Sequence, residues 1–148
     1  MRTPDVNVLV YAVNLDAPQH SAAARWIEDA LSNHAGLAFT WHVLVGFLRL
    51  STQQHIVRSA LPLDTAIGVV DEWLSHPRVR IIGPGDRHAS LLARLLIGAG
   101  RGGNLVSDAH LAAIAIEHGA VLGTFDRDFE RFAGLRMDLL QGDAVHEL

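Results

Sequence analysis

Apolar and polar positions come in alternating blocks along this chain, and the blocks predict strands alternating with helices. Residues 6–13 form the first apolar block, too short for periodicity to decide. It is read as the end of a very short strand turning into a helix at Asn7. Over residues 18–33, Ala22, Trp26 and Ala30 recur at helical spacing, and Gly36 stops the run. Residues 37–40 predict a strand, and residues 41–51 a helix with Leu44, Phe47 and Leu48 on one face. A second such pair comes next, helix 63–74 and strand 79–82. Residues 86–98 read as helix, broken by the glycines after Ala99. Residues 107–118 carry the clearest stripe, Leu111, Ala112, Ala115 and Ile116, with Ser107 as the expected N-cap. Residues 120–124 read as a buried strand, Asp126 to Asp128 as a turn or short helix, and residues 135–140 as a last edge strand.

That order implies an α/β fold with a central, mainly parallel sheet covered on both faces. No repeat or low-complexity tract divides it, so residues 1–148 are read as one domain. In such folds ligands sit beyond the carboxyl ends of the strands. Chemistry is therefore sought where strands end.

Composition narrows the classes. At 148 residues, 49% hydrophobic and 19% charged, the chain can bury a core without cross-links and is no disordered tail. With no Cys there is no disulfide, thiolate zinc site or cysteine nucleophile. All 12 basic residues are Arg, against 16 acidic ones, so net charge does not drive nucleic-acid binding; a local arginine patch and metal ions would have to. Apolar runs are interrupted well short of a membrane span, and no signal-peptide core stands behind the first residues. The expected location is the cytoplasm.

Aspartates mark three of the predicted junctions: Asp5, Asp108, and Asp126 with Asp128. Singly, each has a plain explanation as a helix-dipole partner or a turn residue. Brought together at one end of a sheet, they would repel unless a cation lay between them. The chain has no Lys, and no Arg neighbours Asp5 or Asp108 in sequence. A divalent ion is the natural counterion, and oxygen-only ligands favour Mg²⁺ or Mn²⁺ over zinc. Phosphodiester hydrolysis by metal-activated water is the matching chemistry.

The segments Asp5-Val6-Asn7-Val8-Leu9-Val10, Gly46-Phe47-Leu48-Arg49 within helix 41–51, Val106-Ser107-Asp108-Ala109-His110 and Thr124-Phe125-Asp126-Arg127-Asp128-Phe129 succeed one another in a specific order. The ordered set resembles the motifs of PIN-domain ribonucleases, more narrowly the VapC toxins of mycobacterial toxin–antitoxin pairs, over residues 5–135. The resemblance implies a Rossmann-like α/β/α sandwich, a Mg²⁺- or Mn²⁺-dependent endoribonuclease acting on RNA, homodimers, and neutralisation by a VapB-type antitoxin. It assigns Asp5, Asp108 and Asp126 as catalytic metal ligands, with Asp128 assisting. Asn7 and Thr124 match polar residues that orient those carboxylates.

One position departs from the pattern. Many PIN domains carry a Glu in the third helix where Gly46 stands here, although a mycobacterial-type subgroup shares Gly-Phe-Leu-Arg. The change leaves one or two metals as alternatives. A mid-helix Gly costs about 0.5–1 kcal/mol, so close packing or access for RNA must justify it. Arg49, on the same helix, and Arg101, in the glycine-rich connection, are candidate RNA contacts. Trp26, Trp41 and Trp73 read as core or interface residues. Apolar faces on helices 18–33 and 63–74 are candidates for the dimer or antitoxin groove. Two rival readings compete with the resemblance. An aspartyl-nucleophile phosphatase needs Asp where Asn7 stands and a Lys that the chain lacks. A PIN-like module with a weakened site, binding antitoxin or RNA without efficient cleavage, has only Gly46 in its favour.

Overall fold

The structure, a computed structural model, describes residues 1–54 and 60–143. Five strands, all parallel, form one sheet: β1 (Arg2–Pro4), β2 (Leu37–Phe39), β3 (Val79–Ile81), β4 (Val121–Thr124) and β5 (Met137–Leu139). Their order is β3-β2-β1-β4-β5, so the chain starts in the middle and winds outward in both directions. The helices between them are α1 (Val6–Ala12), α2 (His20–Leu31), α3 (Trp41–Ser51), α4 (Leu63–Ser75), α5 (His88–Ala99) and α6 (Leu105–Glu117). A 3-10 helix, Arg127–Arg131, comes after β4.

Strand β2 shows how both faces are covered. All three of its residues are buried; Leu37 and Phe39 join the main core, where Phe39 stacks on Trp73 of α4 at 5.6 Å. Ala38 points the other way, to Ile114 of α6. Glycine is required at one close approach: a Cβ on Gly123 would overlap the ring of Trp26, whose indole N–H donates to Asp138 across β5 at 2.9 Å.

The predicted elements are all present, with corrections at their ends. Strand β1 lies wholly before Asp5, and α1 begins at Val6 rather than at Asn7, because Asp5 is its N-cap and accepts the Val6 N–H at 2.7 Å. Helix α6 starts at Leu105, two residues earlier than expected. Ser107 is therefore not its cap; Asn104 occupies that place, and Asp108 lies within the first turn. The connection before it is a defined turn, with Gly100 and Gly103 at φ 73° and 63°, a region that suits residues without a Cβ. The sheet is parallel throughout, and each connection is long enough for the crossover that parallel pairing needs.

Candidate active site

All five strands end on the same side of the sheet, and the segments after three of them carry the polar residues of interest. After β1 comes Asp5, after β2 comes Thr40, and after β4 come Phe125 and Asp126. Asp5, Thr40 and Asp126 each cap the helix that starts behind them: Thr40 accepts from Val43 N–H at 3.2 Å, and Asp126 from Asp128 N–H at 2.9 Å. Capping thus explains part of why these residue types stand there. It does not explain the rest of Asp5. That side chain is 8% exposed, and its second oxygen accepts a hydrogen bond from the Thr124 hydroxyl at 2.8 Å. Its own N–H extends the β1–β4 pairing to Gly123 O at 2.8 Å.

The electrostatics draw the aspartates into one group. Burial, and then the charges of Asp5, Asp126 and Asp128, together push the carboxyl of Asp108 up to about 6. No neighbour offsets these causes. Asp5 is also raised, first by burial; the Thr124 hydroxyl and Val6 N–H hold it down, Asp126 raises it and His42 lowers it. A cleft of about 320 Å³ is lined by Asp5, Asp108, Ser107, His42, Gly46 and Arg49. Asp5 and Asp108 therefore share a cavity, and Asp126 and Asp128 act on it from beyond its wall.

The donor set fits a hard divalent cation, since its charged oxygen groups are all carboxylates and they repel one another without one. The three expected ligands, with Asp128 beside them, do not form a preformed cage. Among the described residues no three His, Asp or Glu side chains lie close enough to share an ion. An ion held here would take one or two carboxylates and keep several waters, the habit of Mg²⁺.

The remaining sequence candidates separate. Thr124 donates to Asp5 and also accepts from Asp126 N–H at 3.0 Å. Asn7 does not reach a carboxylate among the described residues; its side-chain oxygen faces Phe125 N–H at 3.4 Å and so acts on the strand end. Asp128 also lies 3.5 Å from Arg131, a half-exposed contact that contributes little. Arg49 borders the cleft, whereas Arg101 is exposed in the turn before α6 and does not. Gly46 borders the cleft and also packs closely on α1: a Cβ there would lie 3.3 Å from Val6 Cγ2. Trp26 and Trp73 are core residues, while Trp41 is 55% exposed.

Sequence reasoning missed one cluster. His42, His110 and His88 meet edge-on, with ring centroids 5.4 and 4.8 Å apart, and His88 Nε2 lies 3.0 Å from His110 Nδ1. Burial and the other two imidazoles hold His110 below the usual histidine range. These residues come from α3, α6 and α5, and nothing local in the sequence joins them.

The comparisons with known proteins agree with this geometry. A family model described as PIN domain matches residues 3–135. The chain is 44% identical to Ribonuclease VapC37 of Mycobacterium tuberculosis, over 93% of this chain and 96% of that one. It is 40% identical to Ribonuclease VapC33 of the same species, over 92% and 95%. Among solved structures, VapBC2 from Rickettsia felis, bound to a DNA fragment from its promoter, aligns at TM-score 0.66 and 23% identity, over 93% and 96%. Mycobacterium tuberculosis VapC20, described as a Sarcin-Ricin loop cleaving toxin, aligns at TM-score 0.64 and 21% identity, over 92% and 99%. With fold, ordered motifs and relatives all in accord, the chain belongs to the PIN-domain family, among the VapC ribonucleases.

Proposed function

We propose that this chain is a Mg²⁺- or Mn²⁺-dependent endoribonuclease toxin, active in the cytoplasm and neutralised by a VapB-type antitoxin. The observation that carries this reading is the carboxyl of Asp108, raised to about 6 by burial and by three neighbouring aspartates. Carboxylates gathered at a sheet end around Asp108, whose own charge no neighbour offsets, suit a bound cation. Asp5 and Asp108 would hold the ion, with Asp126, and more weakly Asp128, acting through its waters. When bound, the ion supplies an activated water and neutralises charge on a phosphate.

The protein's own residues set the stage for that chemistry. Thr124 and the Val6 N–H fix the two oxygens of Asp5, so the carboxylate needs no reorganisation when substrate arrives. Above about pH 6, Asp108 is ionised and available as a ligand. Arg49, at the cleft, meets an RNA phosphate from the other side. Antitoxin docks in the cavity of about 340 Å³ between α2 and α4, where Ile27, Leu31, Val69 and Trp73 offer an apolar floor and Glu28 and Glu72 charged rims. Trp41 and Val45, exposed one turn apart on α3, supply apolar area for a homodimer.

The test is cleavage of a panel of structured RNAs by the purified, antitoxin-free protein. Mg²⁺ or Mn²⁺ should support cleavage, EDTA should stop it, and Asp108→Asn should abolish it. Metal-independent cleavage, or full cleavage by the variant, overturns the reading. Metal and RNA binding without cleavage would favour the weakened module instead.

A further inference from the structure

Asp126 acts on Asp5 and Asp108, but its two chain neighbours face elsewhere. Phe125 and Arg127 line a separate cavity of about 360 Å³, together with Gln19, Leu140 and Gln141. We propose that this cavity holds one nucleotide of single-stranded RNA next to the scissile phosphate, with Arg127 on its phosphate and Gln19 and Gln141 setting the base preference of cleavage. The proposal rests on the ribonuclease reading above and adds the substrate subsite.

Position is the first support. The cavity opens at the carboxyl ends of β4 and β5, the same end of the sheet as the aspartates. Thr124 joins the two: its hydroxyl holds Asp5, and its carbonyl accepts the Leu140 N–H at 2.8 Å. A strand of RNA whose phosphate lies at Asp5 and Asp108 would pass over Asp126 directly to this cavity.

Chemistry is the second. The lining includes an aromatic ring, a guanidinium and two amides, and no carboxylate. Phe125 is held edge-on by Tyr11 at 5.2 Å and 80°, which steadies its ring as a stacking surface. Arg127 is exposed and makes no ion pair among the described residues, so its fork is open to a phosphate. Gln19 and Gln141 each present a donor and an acceptor, the pair needed to read the edge of an unpaired base.

Rigidity is the third. The wall is backbone fastened on either side of Gln141: Leu140 N–H donates to Thr124 O at 2.8 Å, Asp143 N–H donates to Pro18 O at 2.9 Å, and Gly142 packs so closely that a Cβ would lie 3.3 Å from Gln19 Cγ. The two glutamines are thus carried on segments tied to each other. Holding the backbone on both sides in place limits how far the two amides must be ordered when a base binds.

Two measurements test the subsite. In EDTA, titration with 5′-AMP, GMP, CMP and UMP should shift the amide signals of Gln141 and Gly142, with one base preferred. With metal, Arg127→Ala should raise KM for RNA about tenfold with kcat within about twofold, as loss of one charge-assisted phosphate contact predicts. Gln141→Ala should change the base found beside the cut in a random-sequence RNA pool. Both residues are exposed, so these variants fold. An unchanged KM together with an unchanged cut spectrum overturns the subsite while leaving the ribonuclease reading intact. Loss of antitoxin binding with KM intact overturns it too, and assigns the cavity to the antitoxin. If the wild type cleaves nothing, the nucleotide titration decides alone: shifts at Gln141 uphold the subsite, and none reject it.

Discussion

The hydroxyl of Thr124 donates to Asp5 Oδ2 at 2.8 Å across 119 positions of sequence, and the same oxygen accepts the backbone N–H of Asp126. One small side chain on β4 therefore positions the aspartate just past β1 and the one just past β4. With the Val6 N–H on the other oxygen, Asp5 has its orientation set before any ion or substrate is present.

Thr124→Val keeps the shape of that side chain and removes both bonds. It should lower Mn²⁺ affinity and RNA cleavage about 10–100-fold, the usual cost of losing a partner behind a metal ligand. Calorimetric titration with Mn²⁺ and a cleavage assay measure it; Thr124→Ser should restore most of the loss. A Val variant of wild-type activity would show that Asp5 needs no such orientation.

Asp108 should trade stability for function. Its carboxyl is raised from 3.8 to about 6, so the folded state holds the proton more tightly than the unfolded chain. The contribution of this group is therefore most favourable below about pH 4 and is lost as pH rises to about 6. Asp108→Asn should stabilise the metal-free protein at pH 7 while abolishing cleavage. Solvent screening at this half-exposed position keeps the gain to about 1 kcal/mol, or about 2–4 °C in Tm. Thermal melts in EDTA at pH 4.5 and 7 should show the gap between the two proteins widening with pH. A gap of opposite sign would mean that Asp108 has a cationic partner.

The same shift predicts how metal binding depends on pH. Protons and the ion compete for Asp108, so Mn²⁺ affinity should rise as pH climbs through about 6 and then level off, with proton release on binding. Titrations in buffers of different ionisation enthalpy count the protons. Flat affinity from pH 5 to 7.5 would remove Asp108 from the ligand set.

Gly46→Glu restores an acid at the cleft. It should tighten Mn²⁺ binding, because affinity rises with the number of charged ligands. Its Cβ must push against Val6 Cγ2, which lies 3.3 Å away, so the melting temperature should fall unless Val6→Ala is added. Melts and titrations of the two single variants and the double variant separate the effects. Equal affinity in all of them would show that position 46 does not face the ion.

Gly123→Ala tests the packing beneath the site. A Cβ at this position would overlap the Trp26 ring, which cannot move without breaking its bond to Asp138. A loss of about 1–3 kcal/mol is expected in urea unfolding. An unchanged midpoint would mean that α2 can shift on the sheet.

The alternation of strands and helices is legible in the sequence because each element buries its own apolar stripe: periodicity bounds residues 41–51 correctly, although Thr40, read as the end of a strand, caps that helix. The aspartates are legible as a set because each stands at a junction, where chain-local chemistry already favours polar residues. Boundaries decided by long-range bonds are not. Strand β1 stops at Pro4 because Asp5 turns to cap α1 while its N–H still pairs with Gly123, and Asn104, not Ser107, caps α6. Tertiary structure alone could decide which polar groups meet. It pairs Asp128 with Arg131, sends Asn7 to the Phe125 backbone, joins three histidines from three helices, and leaves Arg101 away from the cleft. Sequence spacing specifies which face of one element a side chain occupies, but contacts between elements depend on strand order and helix placement. Those are set by the packing of the whole core.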